Sequence, residues 1–536
     1  MFWLTGDKSV RFERHFGDRV FPCYANRPKT LGEMFDAVVA AHPDAEAVVD
    51  GPRRFSYAAL DERSRRFAGA LHHRGIKPGD RVVLSLENGV EFIVALLASL
   101  RLGAIAVPVG ARLRRPELEF IYTNCNARAV VFGQKTAAEQ PDPAKAPDIK
   151  VRVVVGQQAR PDVEDFDDLL AAACADQPAP EVAEDDCAVL LYTSGTTGQP
   201  KGAMLTHLGL VHSALHWCRR YDFVAGERTV LSVPASHVTG LAAQIFPMIA
   251  CGGCSIAMKS FDVPGFLDLA EAERQSFTIM VPAMYNLILL RGDFEGRDLS
   301  AWRIGAFGGA PMPEATIRAI GAILPDLSLS NAYGATEVTS PATIMPLADC
   351  RHAVDSIGKV VDCGDIRIMD DDGREVSAGA SGEIWIAGPM VVPKYWQRPE
   401  ADRESFVGGY WRSGDIGSRD AAGFFRIFDR KKDMINRGGY KIFSAELENV
   451  LIEHPAVTEA AVVPVPCPVL GERVHAFVVS SQETLSPDEI KNFLADKVAD
   501  YKVPDFVTVQ TDPLPRNANG KLQKNDLRNS SLTDAR

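Results

Sequence analysis

Residues 190–207 read Leu-Leu-Tyr-Thr-Ser-Gly-Thr-Thr-Gly-Gln-Pro-Lys-Gly-Ala-Met-Leu-Thr-His. The apolar run from Cys187 to Tyr192 leads into this stretch and predicts a buried strand. Glycines let backbone N–H groups approach a ligand without a Cβ in the way. Since hydroxyls and a lysine add donors and one positive charge, the loop suits a polyphosphate. The residues concerned are Thr193, Ser194, Gly195, Thr196, Thr197, Gly198, Lys201 and Gly202.

This stretch differs from the common P-loop, because Gly202 follows Lys201 where that pattern requires Ser or Thr. Composition alone would leave open a flexible Gly/Ser/Thr surface turn. A linker, however, needs neither a strand before it nor Pro200-Lys201-Gly202 after it. The whole stretch resembles the phosphate-binding signature of the adenylate-forming superfamily, which includes acyl-CoA synthetases, peptide-synthetase adenylation domains and luciferases.

Length, composition and charge restrict the class of protein. A chain of 536 residues has room for about three or four domain-sized units. Its hydrophobic content of 46% and charged content of 24% are those of an ordinary globular protein. The net charge of −12 argues against nonspecific nucleic-acid binding, so no nucleic-acid partner is predicted. A polyanionic ligand must therefore meet local clusters of Lys and Arg.

The N-terminus and the cysteines predict a cytoplasmic protein. Residues 1–6 contain no basic segment followed by a long apolar core, so no signal peptide is expected. The ten cysteines are scattered, which fits a reducing compartment better than a disulfide framework. Cys251 and Cys254 form a lone CxxC pair. A Gly-rich turn between buried elements explains this pair better than a metal or redox site.

The stretch from Val238 to Met258 has no charged residue and is long enough to span a bilayer. Gln244, Pro247 and the pair Gly252-Gly253 interrupt it. A buried helix, a turn and a buried strand are therefore predicted, with no integral membrane segment. Peripheral membrane contact and a homodimer stay open, because this sequence decides neither.

The order of the strand and helix patterns predicts an α/β fold. Strands and helices alternate over residues 30–135 and again in the central part, which indicates parallel sheets. Residues 136–185 are interpreted as a variable connecting region, and residues 355–428 as a small β unit. The expected architecture is a large N-terminal domain (1–431) of two parallel α/β subdomains plus the β unit, hinged to a small mobile α+β domain (432–536).

Further signatures of the adenylate-forming family appear in the family's order and extend the resemblance from about residue 30 to residue 525. The turn at 308–311 resembles the adenine-binding turn, and residues 333–337 resemble the tyrosine–glycine–threonine–glutamate motif. A flat base needs a close backbone on one side and an aromatic face on the other. Besides the phosphate loop, the resemblance assigns ATP or AMP binding to Gly309, Ala310, Pro311, Asn331, Ala332, Tyr333, Gly334 and Thr336.

The same motifs imply a magnesium site. Glu337 resembles the family's magnesium ligand, and Thr193 is its usual companion in the phosphate loop. Hard oxygen ligands together with nucleotide phosphates suit Mg²⁺. In isolation, Tyr333 would be interpreted as a core aromatic residue and Glu337 as a surface acid.

Two motifs in the second half resemble the ribose site and the hinge. Asp415 matches the aspartate that accepts hydrogen bonds from both ribose hydroxyls, since a carboxylate presents two acceptors to a vicinal diol. Arg430 is expected to reach the ribose or a phosphate. Lys432 falls at the position where the small domain pivots. Outside this order, Gly-Asp is a common turn and a charged run is a solvated loop.

The last two motifs imply a thiol site and a catalytic lysine. Residues 437–441 resemble the segment that closes against the active site for the second half-reaction, so coenzyme A binding is expected at Gly438, Gly439, Tyr440 and Lys441. A simple β-turn is the alternative for the glycine pair. Lys521 matches the C-terminal lysine that bridges the substrate carboxylate and the α-phosphate of ATP.

Residues 234–240 lie where the family places the gate of its acyl site. Many acyl-CoA synthetases carry a histidine or an aromatic residue at the position of His237, although a core histidine with satisfied hydrogen bonds is the alternative. The acyl pocket is expected to include His237, Val238, Gly240, Leu241 and Phe307. No acid that could pair an amino group lies near this gate, so an apolar fatty or aryl carboxylic acid is expected.

The implied reaction has two steps. A carboxylate attacks the α-phosphate of ATP with release of pyrophosphate, and coenzyme A then takes the acyl group from the acyl adenylate. The resemblance assigns catalysis to Lys521, His237, Glu337 and Thr193. Three alternatives stay open: delivery to a carrier protein or oxidation of the adenylate, a nonenzymatic nucleotide-binding relative, and a membrane-associated transporter-like role.

Overall fold

The computed structural model describes residues 1–5, 9–156, 161–172, 180–193, 200–480, 482, 484–516 and 522–534. The chain forms two compact units. Unit 1 comprises Met1–Ile366 and Ile386–Arg412, and unit 2 comprises Arg367–Trp385 and Ser413–Arg536. The domain boundary expected at residue 431 stays a prediction.

The strands of the described residues are, in chain order, β1 (Val10–His15), β2 (Arg19–Tyr24), β3 (Glu46–Asp50), β4 (Arg53–Ser56), β5 (Arg81–Ser85), β6 (Ile105–Pro108), β7 (Ala127–Gly133), β8 (Val151–Val155), β9 (Glu164–Asp165), β10 (Cys187–Thr193), β11 (Lys201–Thr206), β12 (Arg228–Leu231), β13 (Cys254–Ala257), β14 (Phe277–Met280), β15 (Ile304–Phe307), β16 (Ser328–Tyr333), β17 (Thr343–Ile344), β18 (Lys359–Val360), β19 (Asp365–Met369), β20 (Gly382–Ala387), β21 (Phe406–Val407), β22 (Tyr410–Arg419), β23 (Phe425–Arg430), β24 (Ile435–Arg437), β25 (Tyr440–Ile442), β26 (Val457–Cys467), β27 (Gly471–Ser480) and β28 (Phe506–Gln510).

The helices of the described residues are α1 (Phe2–Thr5), α2 (Leu31–Ala41), α3 (Tyr57–His73), α4 (Val90–Arg101), α5 (Arg115–Asn124), α6 (Gln134–Ala137), α7 (Phe166–Ala172), α8 (His207–Arg220), α9 (Val238–Gly240), α10 (Phe246–Cys251), α11 (Val263–Ala272), α12 (Pro282–Arg291), α13 (Glu314–Ile323), α14 (Pro399–Ser405), α15 (Ser444–Ile452), α16 (Pro487–Ala495) and α17 (Lys524–Asp534).

The first sheet of unit 1 has the strand order β11-β10-β6-β5-β7-β8-β9. Neighbouring strands of this sheet are parallel, except β10 and β11, which are antiparallel. The predicted strand before the phosphate loop is β10, and its residues Ala188 to Leu191 are buried. Strand β8 corrects the interpretation of residues 136–185 as a mere connection, because the valine-rich run Val151–Val155 pairs with β7.

Two further sheets complete the parallel core of unit 1. Their strand orders are β12-β13-β3-β4 and β14-β15-β16-β17-β18. In the second of these, β14, β15 and β16 run parallel, so that their carboxyl ends lie at one edge of the sheet. This edge is where open α/β sheets bind ligands.

The helices of unit 1 follow from local signals. The Ser56 side chain accepts a hydrogen bond from the backbone N–H of Ala59 and caps α3. Helix α4 ends before Gly103, whose φ of +64° suits a residue without a Cβ. Ten residues of α4 are buried, which matches its nearly continuous apolar sequence.

The apolar stretch from Val238 folds as predicted. Helices α9 and α10 are joined by a π-helical segment, Leu241–Ile245, and a turn with Gly252 at φ +74° leads into β13. Cys251 and Cys254 are both buried free thiols. Across the part of the chain that the structure describes, no helix combines the length and the apolarity needed to cross a bilayer.

In unit 2, β22 and β23 form an antiparallel pair. A second sheet has the order β25-β24-β27-β26, and β28 pairs in parallel with β27. Helices α15 and α16 pack on this sheet through an apolar core that consists of Leu447, Leu451, Val462, Ile490 and Leu494, among others. Helix α16 begins with a capping box, in which the backbone N–H of Glu489 donates to the Ser486 hydroxyl and the backbone N–H of Ser486 donates to the Glu489 carboxylate.

Candidate active site

The phosphate-loop hairpin consists of β10, β11 and the residues between them. Thr193 ends β10 and lies opposite Lys201, the first residue of β11. The Thr193 hydroxyl donates to the backbone oxygen of Lys201 over 3.4 Å. The hairpin therefore brings a predicted metal ligand beside a predicted phosphate-binding lysine. Five other predicted phosphate-loop residues lie outside the described residues: Ser194, Gly195, Thr196, Thr197 and Gly198.

A tyrosine links this hairpin to the predicted magnesium ligand. The Tyr395 hydroxyl donates to Oε1 of Glu337 over 2.9 Å, and Nζ of Lys201 lies 5.2 Å from the centroid of the Tyr395 ring. Tyr395 is 4% exposed. Burial, together with the nearby Glu337 carboxylate, raises the pKa of the Tyr395 hydroxyl. Tyr395 is therefore a protonated donor at neutral pH.

The segment that carries Tyr395 is attached to β11. Tyr395 forms an antiparallel bridge with Ala203, and the backbone N–H of Trp396 donates to the Gly202 oxygen over 2.7 Å. The backbone N–H of Tyr395 donates to Oδ1 of Asp402 over 2.7 Å. Hydrogen bonds from two successive backbone N–H groups thus fix the main chain that carries the Tyr395 ring.

The predicted adenine turn follows β15 at the carboxyl edge of the parallel strands. Gly309 has φ +78°, a conformation that favours glycine. A Cβ at Gly308 would lie 2.3 Å from the backbone oxygen of Ala332, so this position excludes any side chain. The predicted residues Ala310 and Pro311 are exposed next to it.

The partner of this turn is the end of β16. Asn331 lies opposite Phe307 on β15, and its Nδ2 donates to the Ser356 oxygen over 3.0 Å. Tyr333 ends the strand and is half-buried. The structure therefore brings the two predicted adenine motifs together on adjacent strands. Gly334 and Thr336 are half-buried in the following turn, which also carries Glu337.

The predicted acyl gate begins the helical segment after β12. His237 and Val238 are half-buried, whereas Leu241 is fully buried at the start of the π-helical segment. A Cβ at Gly240 would lie 2.4 Å from the Pro234 oxygen. Phe307 is buried at the end of β15. Their role as an acyl pocket stays a prediction.

Two predicted nucleotide-binding residues of unit 2, Asp415 and Arg430, form an ion pair. Asp415 on β22 lies opposite Arg430 on β23, and Nε of Arg430 is 2.6 Å from Oδ1 of Asp415. The backbone N–H of Asp415 donates to the Ser413 hydroxyl over 3.0 Å. This pairing fixes the buried carboxylate and holds a half-exposed guanidinium beside it.

The predicted hinge residue Lys432 follows this hairpin. Lys432 lies at the surface, and partial desolvation lowers the pKa of its ammonium group. Its backbone oxygen accepts a hydrogen bond from Nη2 of Arg528 over 2.8 Å. The pivoting role of Lys432 stays a prediction.

Gly438 and Gly439 form the two-residue turn of the β24–β25 hairpin. Their φ values are +60° and +92°, and Arg437 lies opposite Tyr440 across the turn. Two positive φ values are typical of a type I′ turn, which favours glycine at both positions. The two φ values therefore support the interpretation of this glycine pair as a simple β-turn. Coenzyme A binding at the pair stays a prediction.

The flanking residues of this turn are exposed. Tyr440 is 58% exposed, and its ring stacks on that of Tyr501 with centroids 4.5 Å apart. Lys441 is exposed beside it. The predicted catalytic residue Lys521 lies outside the described residues.

A second lysine of unit 2 has a structural role. Nζ of Lys524 lies 2.6 Å from Oε1 of Glu448 and donates to the Ser444 hydroxyl over 2.8 Å. Burial raises the pKa of Glu448. Lys524 therefore stabilises an otherwise poorly solvated carboxylate.

The N-terminal hairpin, which consists of β1 and β2, contains three side chains that could hold a metal ion. Ligand atoms of Glu13, His15 and Cys23 lie within 4.8 Å of one another. Both Glu13 oxygens, however, accept hydrogen bonds from the Arg27 guanidinium. Burial raises the pKa of the Cys23 thiol to about 12. A bound guanidinium and a protonated thiol favour an ion-pair network over a metal site.

Comparison with protein families decides the identity of the chain. The family model of the AMP-binding enzyme matches residues 35–396, and that of the AMP-binding enzyme C-terminal domain matches residues 446–521. The chain belongs to the AMP-binding enzyme family. The predicted resemblance to adenylate-forming enzymes is thereby confirmed.

Relatives of this AMP-binding enzyme are similar over nearly its full length. A long-chain-fatty-acid–CoA ligase of Mycobacterium tuberculosis is 34% identical over 510 residues, which cover 93% of this chain and 98% of the relative. A feruloyl-CoA synthase of an Amycolatopsis species is 34% identical over 487 residues, which cover 91% of this chain and 96% of the relative.

A solved structure supports the same conclusion. The o-succinylbenzoate coenzyme A synthetase of Bacillus subtilis, in complex with ATP and a magnesium ion, is 27% identical and has a TM-score of 0.82. The match covers 94% of this chain and 99% of that one. The expected fold class, an α/β enzyme with a large N-terminal and a small C-terminal domain, is confirmed.

Sequence reasoning missed two aromatic residues next to predicted site residues of this AMP-binding enzyme. Tyr395 contacts Lys201 and Glu337, and Tyr501 stacks on Tyr440. In the sequence, both look like ordinary aromatic residues of a core or a surface. Only the pairing of distant segments distinguishes them.

Proposed function

We propose that this AMP-binding enzyme is a carboxylate–CoA ligase for apolar monocarboxylic acids. In the first step the acid attacks the α-phosphate of ATP, which gives an acyl adenylate and pyrophosphate. In the second step the thiolate of coenzyme A attacks the acyl carbonyl, and AMP leaves. The observation that carries the proposal is the similarity to acid–CoA ligases over 93% of the chain.

Magnesium is the metal that the unit 1 residues fit. The side chain of Glu337 makes one hydrogen bond within the described residues, through Oε1, so Oε2 is available for a cation. The Thr193 hydroxyl supplies a second hard oxygen ligand. We assign Mg²⁺ to these two residues, and when bound it would offset the negative charge of the ATP phosphates.

The phosphates and the adenine are assigned to unit 1. The donor loop from Thr193 to Gly198 and Lys201 would bind the phosphates, because two anions must approach each other and charge neutralisation dominates such a step. The adenine would lie at the carboxyl edge of β15 and β16. Its assigned neighbours are Gly309, Ala310, Pro311, Asn331, Ala332, Tyr333, Gly334 and Thr336.

Unit 2 supplies the remaining proposed groups. Asp415 would bind the ribose, Arg430 would reach the ribose or a phosphate, and Lys521 would stabilise the charge that develops in adenylation. Coenzyme A is assigned to the hairpin turn and its flanks, Gly438, Gly439, Tyr440 and Lys441. Alternation of the two half-reactions by rotation about Lys432 is part of this proposal.

The acid is proposed to have an apolar body. Similar proteins are named as a long-chain-fatty-acid–CoA ligase, a feruloyl-CoA synthase and an indoleacetate–CoA ligase, and the acid part of each name has an apolar body. The proposed pocket has no acidic residue among His237, Val238, Gly240, Leu241 and Phe307, and an unpaired charge buried there would be costly. His237 would gate this pocket.

The reaction is tested by measuring pyrophosphate, AMP and thioester with and without coenzyme A. The proposal expects pyrophosphate release to depend on the acid, and thioester to appear only with coenzyme A. Transfer to a carrier protein alone would favour the carrier-dependent alternative. ATP binding without any acid-dependent pyrophosphate release would favour the nonenzymatic alternative.

We also propose that the enzyme works in the cytoplasm as a homodimer. The nine cysteines within the described residues are free, which agrees with a reducing compartment. Light scattering of the purified protein tests the dimer, and fractionation of cells tests the compartment and any peripheral membrane contact.

A further inference from the structure

We propose that Tyr395 is a positioning residue for adenylation, which orients the Glu337 carboxylate with its hydroxyl and holds Lys201 with its ring. This inference rests on the proposed function, because it assigns Mg²⁺ to Glu337 and phosphate binding to Lys201. Tyr395 itself touches neither reacting group. It acts through the two residues that would.

The hydroxyl of Tyr395 fixes one oxygen of Glu337. A phenol has a single proton to donate, and here it goes to Oε1 over 2.9 Å. The backbone oxygen of Glu337 accepts the N–H of Val392 over 2.9 Å. The side chain and the main chain of Glu337 are thus both held by residues 392–395. Among the residues that the structure describes, this leaves Oε2 as the oxygen that a cation can use.

The ring of Tyr395 acts on the lysine. The Lys201 ammonium lies within the range of a cation–π contact, at 5.2 Å from the ring centroid. A cation on an aromatic face needs no hydrogen-bond acceptor there, so its N–H groups stay available for phosphate oxygens. Lys201 lies opposite Thr193 in the hairpin, so one buried ring lies next to both proposed ligand-bearing segments.

A positioning residue needs a rigid support. The backbone of the Tyr395 segment is bonded on both sides: Trp396 N–H donates to the Gly202 oxygen over 2.7 Å, and Arg19 donates to the Val392 and Pro393 oxygens over 3.3 and 2.8 Å. These bonds couple the segment to the phosphate-loop hairpin and to the N-terminal hairpin. The hydroxyl is therefore presented from a fixed frame.

The alternative is a purely structural tyrosine, and Tyr122 supplies a matched control. Tyr122 is also buried, at 2% exposure, and its hydroxyl donates to Oε1 of Gln140 over 2.7 Å in the core under the first sheet. Tyr395→Phe and Tyr122→Phe each remove one buried hydroxyl. Both should therefore lower the unfolding temperature to a similar extent.

The test measures ATP binding by titration calorimetry at increasing Mg²⁺ and without carboxylic acid, so that no turnover occurs. Tyr395→Phe should raise the Mg²⁺ concentration for half-maximal effect about tenfold, which is typical when a group that orients a metal ligand is lost. Tyr122→Phe should match the wild type. In addition, Tyr395→Phe should slow pyrophosphate release and spare thioester formation from supplied acyl adenylate.

A Tyr395→Phe protein with the Mg²⁺ dependence of Tyr122→Phe would overturn the inference. Glu337→Gln separates this failure from failure of the metal assignment. If Glu337→Gln loses the Mg²⁺ effect while Tyr395→Phe keeps it, only the role of Tyr395 is wrong. If Glu337→Gln also keeps the Mg²⁺ effect, Glu337 is not the ligand, and the metal assignment and the inference both fail.

Discussion

Nε of Arg430 lies 2.6 Å from Oδ1 of Asp415 across the antiparallel strands β22 and β23. The Asp415 side chain is 5% exposed and that of Arg430 is 46% exposed. The pair therefore has a buried anionic end and a cationic end that reaches solvent. A carboxylate has acceptor capacity for the guanidinium and for a vicinal diol.

Asp415→Asn tests the ribose assignment. The change keeps the shape and removes the charge, so hydrogen bonds from the diol weaken and KM for ATP should rise at least about tenfold. The wild type should bind 2′-deoxy-ATP more weakly than ATP, whereas Asp415→Asn should distinguish the two poorly. Steady-state pyrophosphate release with both nucleotides measures this.

The same β22–β23 hairpin offers a control for the ribose test. Asp420 pairs with Arg426 at 2.9 Å, and both side chains are partly exposed. Asp420→Asn should therefore leave the ratio of ATP to 2′-deoxy-ATP activity unchanged. An equal ratio in the wild type, Asp415→Asn and Asp420→Asn would contradict a ribose contact at Asp415.

Lys521→Ala should separate the two half-reactions. Loss of transition-state charge stabilisation should reduce pyrophosphate release by at least about a hundredfold. The variant should still convert supplied acyl adenylate and coenzyme A to thioester. Equal loss of both half-reactions would be incompatible with a lysine that serves adenylation alone.

Lys524→Ala is the control for this lysine. It leaves Glu448 without its ammonium partner, and breaking a buried pair of this kind costs about 3 kcal/mol of unfolding free energy. Lys524→Ala should therefore lower the melting temperature and affect both half-reactions alike. A selective loss of adenylation in Lys524→Ala would show that the effect does not belong to Lys521.

The hairpin turn at Gly438-Gly439 requires two variants. A Cβ at Gly439 would meet nothing within 4 Å, so the penalty of a substitution is the backbone strain at φ +92°. Leucine at this position should lower the free energy of unfolding by about 1–2 kcal/mol, and asparagine should lower it by less. If the turn lines the path of the thiol, Gly439→Leu and Gly439→Asn should both slow thioester formation and spare adenylation.

If Gly438-Gly439 is only a β-turn that serves folding, the two variants should behave differently from each other. Gly439→Leu would then melt early and lose both half-reactions, and Gly439→Asn would behave like the wild type. Half-reaction rates and melting curves of the two proteins distinguish the cases.

His216 should make stability depend on pH. Neither ring nitrogen has a hydrogen-bond partner within the described residues, and burial lowers its pKa to about 3 from an ordinary 6.5, with Asp362, Arg220 and Arg219 as charged neighbours. As pH falls, the unfolded chain takes up this proton first. Protonation of His216 therefore has no effect on the free energy of unfolding above pH 6.5. Below that pH it lowers this free energy by about 1.4 kcal/mol per pH unit, down to about pH 3.

His216→Phe removes this proton uptake. The variant should show a flatter fall in unfolding free energy between pH 6.5 and 5, as measured by urea unfolding. His73→Gln, at an exposed position, should keep the wild-type slope. The prediction is that His216 binds a proton in the unfolded chain and not in the folded one. Identical slopes for His216→Phe and the wild type would contradict it.

The sequence predicted those features that depend on local patterns. The strand before the phosphate loop lies within one residue of its expected bounds, and the apolar stretch from Val238 forms the expected helix, turn and strand. Local signals fix these elements because capping and periodicity act within one or two turns.

Contacts between distant segments could not be predicted. Tyr395 reaches Glu337 over 58 positions, and the ring of Tyr501 stacks on that of Tyr440. The strand Val151–Val155, by contrast, has a local valine-rich signal, which the interpretation of residues 136–185 overlooked. The glycine pair of the β24–β25 turn was interpreted from the family, and its positive φ values became visible only in the structure. Side-chain pairing across strands is set by register, which a single sequence does not state.

Values of kcat/KM for a panel of acids, with pyrophosphate and acyl-CoA followed together, decide whether the enzyme is a CoA ligase for apolar monocarboxylic acids. Equal amounts of both products are expected, and kcat/KM should rise about fourfold per added methylene, or about 0.8 kcal/mol each, until the pocket is full. Straight-chain or benzoate-type acids should be the best substrates. Highest activity on a dicarboxylate or an α-amino acid, or pyrophosphate without acyl-CoA, would contradict this function.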